Sequence, residues 1–314
     1  MKALVIKNTG SWYVVKTDDG KTMECKIKGN FRLRGIRSTN PIAVGDYVDV
    51  RFDEQQQVGL ITEIYDRKNY IIRKSINLSK QSHIIAANVD QAFLVVTISH
   101  PATSTTFVDR FLASAEAYRI PVILLFNKGD ILTDEETHLQ QMMMTLYETI
   151  GYKCMAVSAA TGEGIDAVRA LLEGKVSVFS GHSGVGKSTL LNHFIDGRVL
   201  KTAEISEAHD AGMHTTTFSE MIEVANATNN TYVIDTPGIK GFGTFDMEKE
   251  ELTSYFKEIF HYSKDCRFSN CTHTHEPGCA VLKALEDHLI AQSRYNSYLS
   301  MLDDKDEDRY RASY

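Results

Sequence analysis

The sequence predicts an α/β protein in which a small β-barrel precedes a central parallel sheet and a helical region follows it. Three observations support this. Residues 1–75 hold short runs of β-branched and aromatic residues between turns, residues 76–244 alternate apolar strands with helices, and residues 245–314 are mostly helical around a Cys/His cluster. A length of 314 residues suits two or three domains. We expect three, with these boundaries.

The first domain is predicted to contain five strands separated by Gly, Asn and Asp turns. They are Ala3–Lys7, Trp12–Thr17, Lys21–Ile27, Tyr47–Phe52 and Leu60–Ile64. Five such strands suit a small barrel of the OB-fold type, whose grooves commonly bind single-stranded or irregular nucleic acid. Arg32, Arg34 and Arg37 fall between the third and fourth strands, where a binding loop is expected. The alternative is a barrel that only packs on its neighbour.

The middle of the chain is predicted to form a parallel sheet with helices on both faces. The expected strands are Ala92–Ser99, Val122–Phe126, Cys154–Val157, Val176–Phe179, Phe218–Val224 and Thr231–Ile234. The expected helices are Phe107–Tyr118, Asp134–Ile150, Ile165–Leu172 and Lys187–Asp196. Ligands of such sheets bind at the carboxyl ends of the strands.

The composition, 43% hydrophobic and 24% charged, is that of a soluble globular protein. No apolar run approaches the ~18 residues of a membrane span, and the N-terminus is too short and too charged for a signal peptide. We therefore expect a cytoplasmic protein without a membrane partner. The net charge is −7, yet residues 1–75 carry 14 Lys and Arg against 9 Asp and Glu. This asymmetry favours equally a polyanionic partner and a merely solvated surface.

A phosphate-binding loop is predicted at Gly181–Ser188, which reads G-x-x-x-x-G-K-S between an apolar strand and a helix. Its glycines let backbone N–H groups turn toward phosphate oxygens, and the following helix presents its positive end. Lys187 is expected at the β- and γ-phosphates and Ser188 at Mg²⁺. The predicted nucleotide-binding residues of this segment are Gly181, His182, Ser183, Gly184, Val185, Gly186, Lys187, Ser188 and Thr189.

Two further motifs are predicted to read the base. Asn127-Lys128-Gly129-Asp130 follows one predicted strand, and Ser158-Ala159-Ala160 follows the next. The Asp130 carboxylate can accept hydrogen bonds from guanine N1–H and the 2-amino group, neither of which adenine offers. The Ala159 N–H is expected at guanine O6. These motifs favour GTP over ATP and therefore argue against a P-loop ATPase or kinase, which the glycine loop alone would allow.

The remaining motif, Asp235-Thr-Pro-Gly238, follows a predicted strand. We expect Asp235 at Mg²⁺ and the Gly238 N–H at the γ-phosphate. Thr215 or Thr216 is expected to join the Mg²⁺ when the γ-phosphate is present, and the sequence does not decide between them.

The catalytic position after this motif is unusual. Ile239 stands where many GTPases have a glutamine that orients the attacking water. Because an apolar chain cannot orient water, intrinsic hydrolysis is expected to be slow. His214, beside the two threonines, is the candidate catalytic residue, and the alternative is that it is an ordinary loop residue.

The order of these motifs is permuted. In an ordinary GTPase the phosphate-binding loop precedes the base-reading motif, whereas here it follows that motif by roughly fifty residues. Because the set is complete, the order predicts a circularly permuted P-loop GTPase domain.

A metal site is predicted near the C-terminus, in the spacing Cys266-x₄-Cys271-x-His273-x₅-Cys279. Three thiolates and one imidazole suit a closed, four-coordinate, structural Zn²⁺. In a chain without an export signal, such a cluster favours metal over disulfides. His275 is an alternative ligand.

Four segments together resemble those of one family, the small ribosomal subunit biogenesis GTPases known as RsgA or YjeQ. They are Ala87–Gln91, Gly181–Ser188, Asp235–Gly238 and Cys266–Cys279. The resemblance covers nearly the whole chain and implies an N-terminal OB-fold, a permuted GTPase domain and a C-terminal zinc-binding domain. Met213 stands where the family usually has arginine, so a contact made by that arginine is not carried over. His182 stands where glutamine is common.

The resemblance implies a bacterial ribosome assembly factor. Such a protein would bind the 30S subunit and its rRNA late in maturation, near the decoding region, and would hydrolyse GTP to GDP when the subunit stimulates it. One structural Zn²⁺, Mg²⁺ with GTP, and a monomeric state are expected. The alternative is a non-enzymatic RNA-binding scaffold for which GTP is only a ligand.

Overall fold

The computed structural model describes residues 1–27, 41–54, 57–74, 82–195, 220–228, 230–235 and 251–303. The N-terminal strands are β1 (Lys2–Asn8), β2 (Tyr13–Thr17), β3 (Thr22–Ile27), β4 (Tyr47–Asp53), β5 (Val58–Ile64), β6 (Tyr70–Lys74) and β7 (Ser82–Ala87). The central elements are β8 (Gln91–Val96), α1 (Thr105–Ala117), β9 (Val122–Phe126), α2 (Asp134–Ile150), β10 (Lys153–Ala156), α3 (Ile165–Leu172), β11 (Val176–Ser180), α4 (Lys187–Asn192), β12 (Glu220–Glu223) and β13 (Tyr232–Asp235). The C-terminal helices are α5 (Lys257–Ser263), α6 (Ala280–Glu286) and α7 (Gln292–Leu302).

The first five strands form a closed barrel, as predicted. They follow the order β1-β2-β3-β5-β4, and β4 pairs back onto β1. Alternate residues point inward, so Val5, Tyr13 and Val15 lie in the barrel core. The predicted strand bounds hold to within two residues. Arg32, Arg34 and Arg37 lie outside the described residues.

A hairpin of β6 and β7, which the sequence analysis did not predict, connects the barrel to the central sheet. It spans residue 75, where a domain boundary is expected. The hairpin sits close to the barrel because the Ala87 N–H donates to the Val44 carbonyl at 2.9 Å. Gly45 has a φ of +89°, and a Cβ there would lie 2.0 Å from the Ala87 oxygen. Only glycine fits this contact.

The central sheet has the strand order β10-β9-β8-β11-β13-β12. The first five strands are parallel, and β12 runs antiparallel to β13. Alternate residues of β8 enter two cores: Leu94 and Val96 pack on the side of α1, while Phe93 and Val95 pack on the side of α3 and α4. The predicted α/β fold is confirmed.

One predicted helix was too long. We expected Lys187–Asp196, but α4 ends at Asn192, and Asp196 lies outside the described residues. The helix ends in a tighter turn, because the N–H groups of His193 and Phe194 donate to carbonyls three residues back rather than four. Phe194 then turns into the core, with its ring centroid 6.2 Å from that of Phe179. Burial of this aromatic ring outweighs the propensity to continue the helix.

Helix α2 has the predicted bounds because both ends are capped. The Thr133 side chain accepts the Glu136 N–H at 3.3 Å, and the Glu136 carboxylate accepts the Thr133 N–H at 2.9 Å. Together they form a capping box. Gly151 ends the helix with a φ of +98°.

The barrel and the C-terminal helices both adjoin the central sheet. Strand β1 pairs antiparallel with β12 at Lys7 and Glu220, so the barrel extends the sheet. The C-terminal unit, which we define as residues 251–303, has its own core, and α7 packs against α1. Within the described ranges, none of the helices combines the length and apolar character that crossing a membrane requires.

Candidate functional site

The predicted phosphate loop follows β11 and opens α4. Two of its glycines are required by space as well as by conformation. Gly181 has a φ of +145°, and a Cβ there would lie 2.6 Å from the Val95 oxygen. Gly186 has a φ of +92°, and a Cβ there would lie 2.4 Å from Asn127 Nδ2. The loop therefore lies tightly against the ends of two neighbouring strands.

Lys187 folds over this loop. Its Nζ donates to the Gly181 carbonyl and, at 3.0 Å, to the His182 carbonyl. The ammonium group thus lies inside the turn that is predicted to hold phosphates. Ser188 and Thr189 follow in the first turn of α4.

Asn127 joins the predicted phosphate loop to the second predicted base-reading motif. Its Nδ2 donates to the Val185 carbonyl at 2.8 Å, and its Oδ1 accepts the Ala159 N–H at 3.0 Å. The side chain is 2% exposed. The Ala159 N–H, which is predicted to contact guanine O6, donates to Asn127 in this structure. The base contact stays a prediction, and guanine would have to share this donor.

The carboxylate that is predicted to read the base is oriented by a buried hydroxyl. Ser158 Oγ donates to Asp130 Oδ1 at 2.5 Å and also accepts the Thr161 N–H at 3.1 Å. Asp130 itself is exposed. A fixed and accessible carboxylate is what recognition of two guanine N–H groups requires. Gly129 lies in the short turn Gly129–Ile131 beside it.

A loop that the sequence analysis did not identify borders this site. Residues 97–104 link β8 to α1, and the His100 carbonyl accepts a hydrogen bond from Lys128 Nζ. Pro101 lies against Gly184, where a Cβ would be 3.2 Å from the proline ring. Thr103 contacts His182. The loop carries no sequence motif, and its contacts with both predicted motifs depend on the folded structure.

His182 is held by a defined set of hydrogen bonds. Its Nδ1 faces the Ser183 carbonyl at 3.1 Å, so this nitrogen must be the donor. Its Nε2 then accepts the Thr103 hydroxyl at 2.7 Å. Burial and the charges of Lys187 and Lys128 lower the pKa of His182, which favours the neutral ring that this pattern needs.

The rest of the predicted nucleotide machinery lies largely outside the described residues. This holds for Met213, His214, Thr215, Thr216, Gly238 and Ile239. Asp235 ends β13, and its neighbour Ile234 pairs in register with Val178 of β11. Its backbone is therefore at the same edge of the sheet as the phosphate loop.

The predicted metal ligands come together. The ligand atoms of Cys266, Cys271, His273 and Cys279 lie within 4.8 Å of one another. His273 Nδ1 is 3.6 Å from the Cys266 sulfur and 3.5 Å from the Cys279 sulfur, and these two sulfurs are 3.9 Å apart. Tetrahedral Zn²⁺ with bonds of about 2.3 Å to sulfur and 2.0 Å to nitrogen would need separations of about 3.5–3.8 Å. The donor set and spacing therefore fit a metal ion.

His275 does not belong to this cluster. It is exposed, and its Nδ1 lies 2.8 Å from the Thr274 hydroxyl. Burial raises the pKa of the Cys271 thiol to about 12, and the neighbouring sulfurs add to this effect. A bound cation would stabilise the thiolates instead.

One carboxylate shapes residues 266–279, which carry the four clustered ligands and which we call the metal loop. Glu276 accepts hydrogen bonds from the N–H groups of Thr272, Thr274 and His275 at 2.6, 3.0 and 3.1 Å. Burial opposes the charge, but the bonds from Thr272 and from the backbone lower the pKa of Glu276 below its usual value. Glu276 thus anchors the loop from within, and no sequence motif predicts this role.

The predicted base-reading motifs precede the predicted phosphate loop on a sheet whose strands bring them to one edge, and this arrangement is that of a circularly permuted GTPase. A family model described as the RsgA GTPase matches residues 64–245, and one described as the RsgA N-terminal domain matches residues 2–61. The chain belongs to the RsgA GTPase family.

Similar proteins cover the whole chain. The small ribosomal subunit biogenesis GTPase RsgA of Bacteroides fragilis is 65% identical over 314 residues, which is 100% of both chains. The crystal structure of YjeQ from Thermotoga maritima aligns with a TM-score of 0.78 at 33% identity, over 96% of each chain. YloQ, a circularly permuted GTPase, aligns with a TM-score of 0.74 at 31% identity, over 99% of this chain and 96% of the other.

Proposed function

We propose that this protein is a GTPase that binds the 30S ribosomal subunit and assists its late maturation, with hydrolysis stimulated by that subunit. The GTPase activity is supported by one observation: Asn127 makes one hydrogen bond to Val185 and another to Ala159. These two bonds hold the proposed base-reading and phosphate-binding segments together. The ribosomal part is supported by the name of the Bacteroides fragilis relative.

The direct test is GTP turnover by the purified protein, alone, with 30S subunits, and with 50S subunits as control. Strong stimulation by 30S alone supports the proposal. Slow turnover that 30S leaves unchanged would instead favour the scaffold function. Ile239 in place of the usual glutamine fits the proposal, because an enzyme with slow intrinsic hydrolysis needs an activating partner.

The proposed base contact has its own test. Replacing Asp130→Asn converts an acceptor into a group that also donates, so preference is expected to move from guanine toward xanthine nucleotides. Asp134→Asn, at the exposed start of α2, is the matched control. Guanine preference that is unchanged in Asp130→Asn would remove this residue from the base site.

For the reaction, Mg²⁺ would be held by Ser188, Asp235 and one of Thr215 and Thr216. When bound, the ion would neutralise charge that develops on the phosphates. Lys187 and the loop N–H groups would hold the β- and γ-phosphates, and the Gly238 N–H would hold the γ-phosphate.

His214 is the proposed group that positions the attacking water. We expect His214→Ala to lower 30S-stimulated kcat by about 10²-fold, which is the lower end for a lost acid–base group, and to leave GTP affinity unchanged. If His214→Ala and the wild-type protein had equal kcat, His214 would have no catalytic role.

The cluster of Cys266, Cys271, His273 and Cys279 is proposed to hold one structural Zn²⁺. The fit of its spacings supports this. Elemental analysis of the purified protein should give one zinc per chain, and iron or no metal in its place would refute the assignment.

The barrel is proposed to contact rRNA. Exposed aromatic rings beside lysines support this: Lys26 lies 4.1 Å from the Trp12 ring, and Lys2 lies 4.7 Å from the Tyr47 ring and 5.1 Å from the Tyr65 ring. Such pairs can stack on bases and meet phosphates. We further propose a monomeric cytoplasmic protein with domain boundaries 1–75, 76–244 and 245–314.

A further inference from the structure

Helix α1 is shared by two parts of the molecule. Its first turn borders the phosphate loop, and its middle turns lie against the C-terminal unit. Ala113, in the middle of α1, is 1% exposed and belongs to the core of that unit. One rigid helix of 13 residues thus touches both the proposed nucleotide site and the helices around the metal cluster.

The first end of this connection is at the phosphate loop. Thr103 is 8% exposed, and its hydroxyl lies 2.7 Å from His182 Nε2. The Phe107 ring meets the same imidazole edge to face, with centroids 5.7 Å apart. Ser104 caps α1 by accepting the Phe107 N–H at 3.2 Å. The start of α1 and the second residue of the phosphate loop are therefore fixed to each other.

The second end is a buried ion pair. Arg294 of α7 is 1% exposed, and its Nη1 donates to Asp109 Oδ1 of α1 at 2.8 Å. Its Nε donates to Glu258 of α5 at 2.6 Å, and Tyr147 of α2 donates to the same Asp109 oxygen at 2.9 Å. Buried charges tolerate little displacement from their partners. Asp109 and Arg294 therefore lock α1 to α7.

The residues that follow Arg294 on α7 hold the metal loop. The Tyr295 hydroxyl donates to the His273 carbonyl at 2.7 Å, and the Tyr298 hydroxyl donates to the Thr272 carbonyl at 3.0 Å. His273 is itself one of the four clustered ligands. The metal loop is thereby joined to α7 by two hydrogen bonds.

We propose that Arg294 is a positioning residue that couples the metal cluster to the nucleotide site. An ordered metal loop holds α7 in place through Tyr295 and Tyr298, and the ion pair of Arg294 with Asp109 then holds α1 in place. The contact between Thr103 and His182 in turn keeps the phosphate loop in the conformation that binds a nucleotide. The proposal rests on the nucleotide site proposed above. Because coupling between two binding equilibria is reciprocal, each ligand must strengthen the binding of the other by the same factor.

The first experiment compares GDP affinity of the full-length protein with Zn²⁺ bound and after chelation, measured by calorimetry. We expect the zinc-free protein to bind GDP at least about fivefold more weakly, since site-to-site coupling is typically of this size or larger. Reciprocally, saturating GDP should slow amide exchange in α7 and slow the loss of Zn²⁺ to a chelator.

The decisive variant is Thr103→Val, which removes the hydroxyl that bonds His182 and keeps the branched shape. We expect it to bind Zn²⁺ normally and to bind GDP, but with affinities that differ by less than about twofold between the two metal states. Thr106→Val, the same change one turn along the chain on α1, is the matched control and should keep the full difference. Arg294→Lys, which keeps the charge but loses the two-pronged fork, should reduce the difference.

Two results would overturn the coupling alone: equal GDP affinity of the wild-type protein with and without Zn²⁺, or a full metal effect in Thr103→Val. A purely structural role for this contact would change stability and leave the ratio of affinities as in wild type. Failure of the wild-type protein to bind GDP in either state would refute the proposed nucleotide site, and the coupling with it.

Discussion

The barrel and the C-terminal unit are joined to the central sheet by different interactions. The barrel joins edge to edge, through pairing of β1 with β12 and through the exposed ion pair of Lys16 and Glu223, with N and O 2.8 Å apart. The C-terminal unit joins through a buried ion pair and a shared core. Exposed pairs contribute little and are screened by salt, whereas buried pairs resist separation. Motion of the C-terminal unit should therefore move α1, while the barrel has more freedom.

The largest effect is expected from Arg294→Met. It removes the guanidinium from between Asp109 and Glu258, whose side chains are 0% and 10% exposed, and leaves two carboxylates without their cation. Loss of one member of a buried pair costs about 3–5 kcal/mol. We expect faster amide exchange throughout α7 and little change in the barrel.

Arg51→Met, at an exposed position of β4, is the matched control for that experiment. The Arg51→Met substitution should change the free energy of unfolding by no more than about 0.5 kcal/mol. If Arg294→Met were no more destabilising than Arg51→Met, the distinction between the two attachments would fail.

The next effect concerns the barrel side. Gly45→Ala would place a Cβ 2.0 Å from the Ala87 oxygen at a φ of +89°, so strain and overlap should together cost about 3 kcal/mol. Unfolding in urea can be followed by the fluorescence of Trp12, the chain's single tryptophan.

Gly20→Ala provides the control, because Gly20 has a φ of +81° but nothing lies within 4 Å of its added Cβ. The Gly20→Ala substitution should lower the free energy of unfolding by only about 1 kcal/mol, because backbone strain is its only cost. If both variants lost the same free energy of unfolding, the close contact between the hairpin and the barrel would contribute nothing to stability.

The motifs of the proposed nucleotide site can be recognised in the sequence because each is a contiguous run at one turn. The glycines of Gly181–Ser188 and the tetrapeptide Asn127–Asp130 carry their chemistry in the local sequence. The metal ligands were predictable for the same reason.

The contacts that join distant parts of the chain were not predictable. Thr103 and His182 are 79 residues apart, and Asp109 and Arg294 are 185 apart, and three of these four belong to no motif. The hairpin of β6 and β7 was missed because its strands are short and lie on both sides of an expected boundary. Pairings of this kind depend on the packed fold, and a local pattern does not contain them.

A smaller effect is expected at the edge between barrel and sheet. Lys16→Ala should cost about 0.2–1 kcal/mol, as exposed pairs do, and the loss should shrink as salt is raised. Lys21→Ala, in an ion pair within the barrel's own β2–β3 turn, is the control. A loss above about 2 kcal/mol, independent of salt, would show that the barrel is attached as firmly as the C-terminal unit.

The smallest effect lies within the barrel, at Asp19. Hydrogen bonds from Lys21 and Thr17 lower the pKa of Asp19 to about 2, below the ordinary value of about 3.9. A lowered pKa of an acid stabilises the fold above the ordinary value, and this stabilisation is lost as pH falls toward 2. The carboxyl ¹³C shift of Asp19 should therefore titrate near pH 2, and in Lys21→Ala the midpoint should rise. Because Asp19 is exposed and lies outside the proposed nucleotide site, nucleotide affinity should not change with this titration. A midpoint near 3.9 in the wild-type protein would mean that the ion pair between Asp19 and Lys21 does not form in solution.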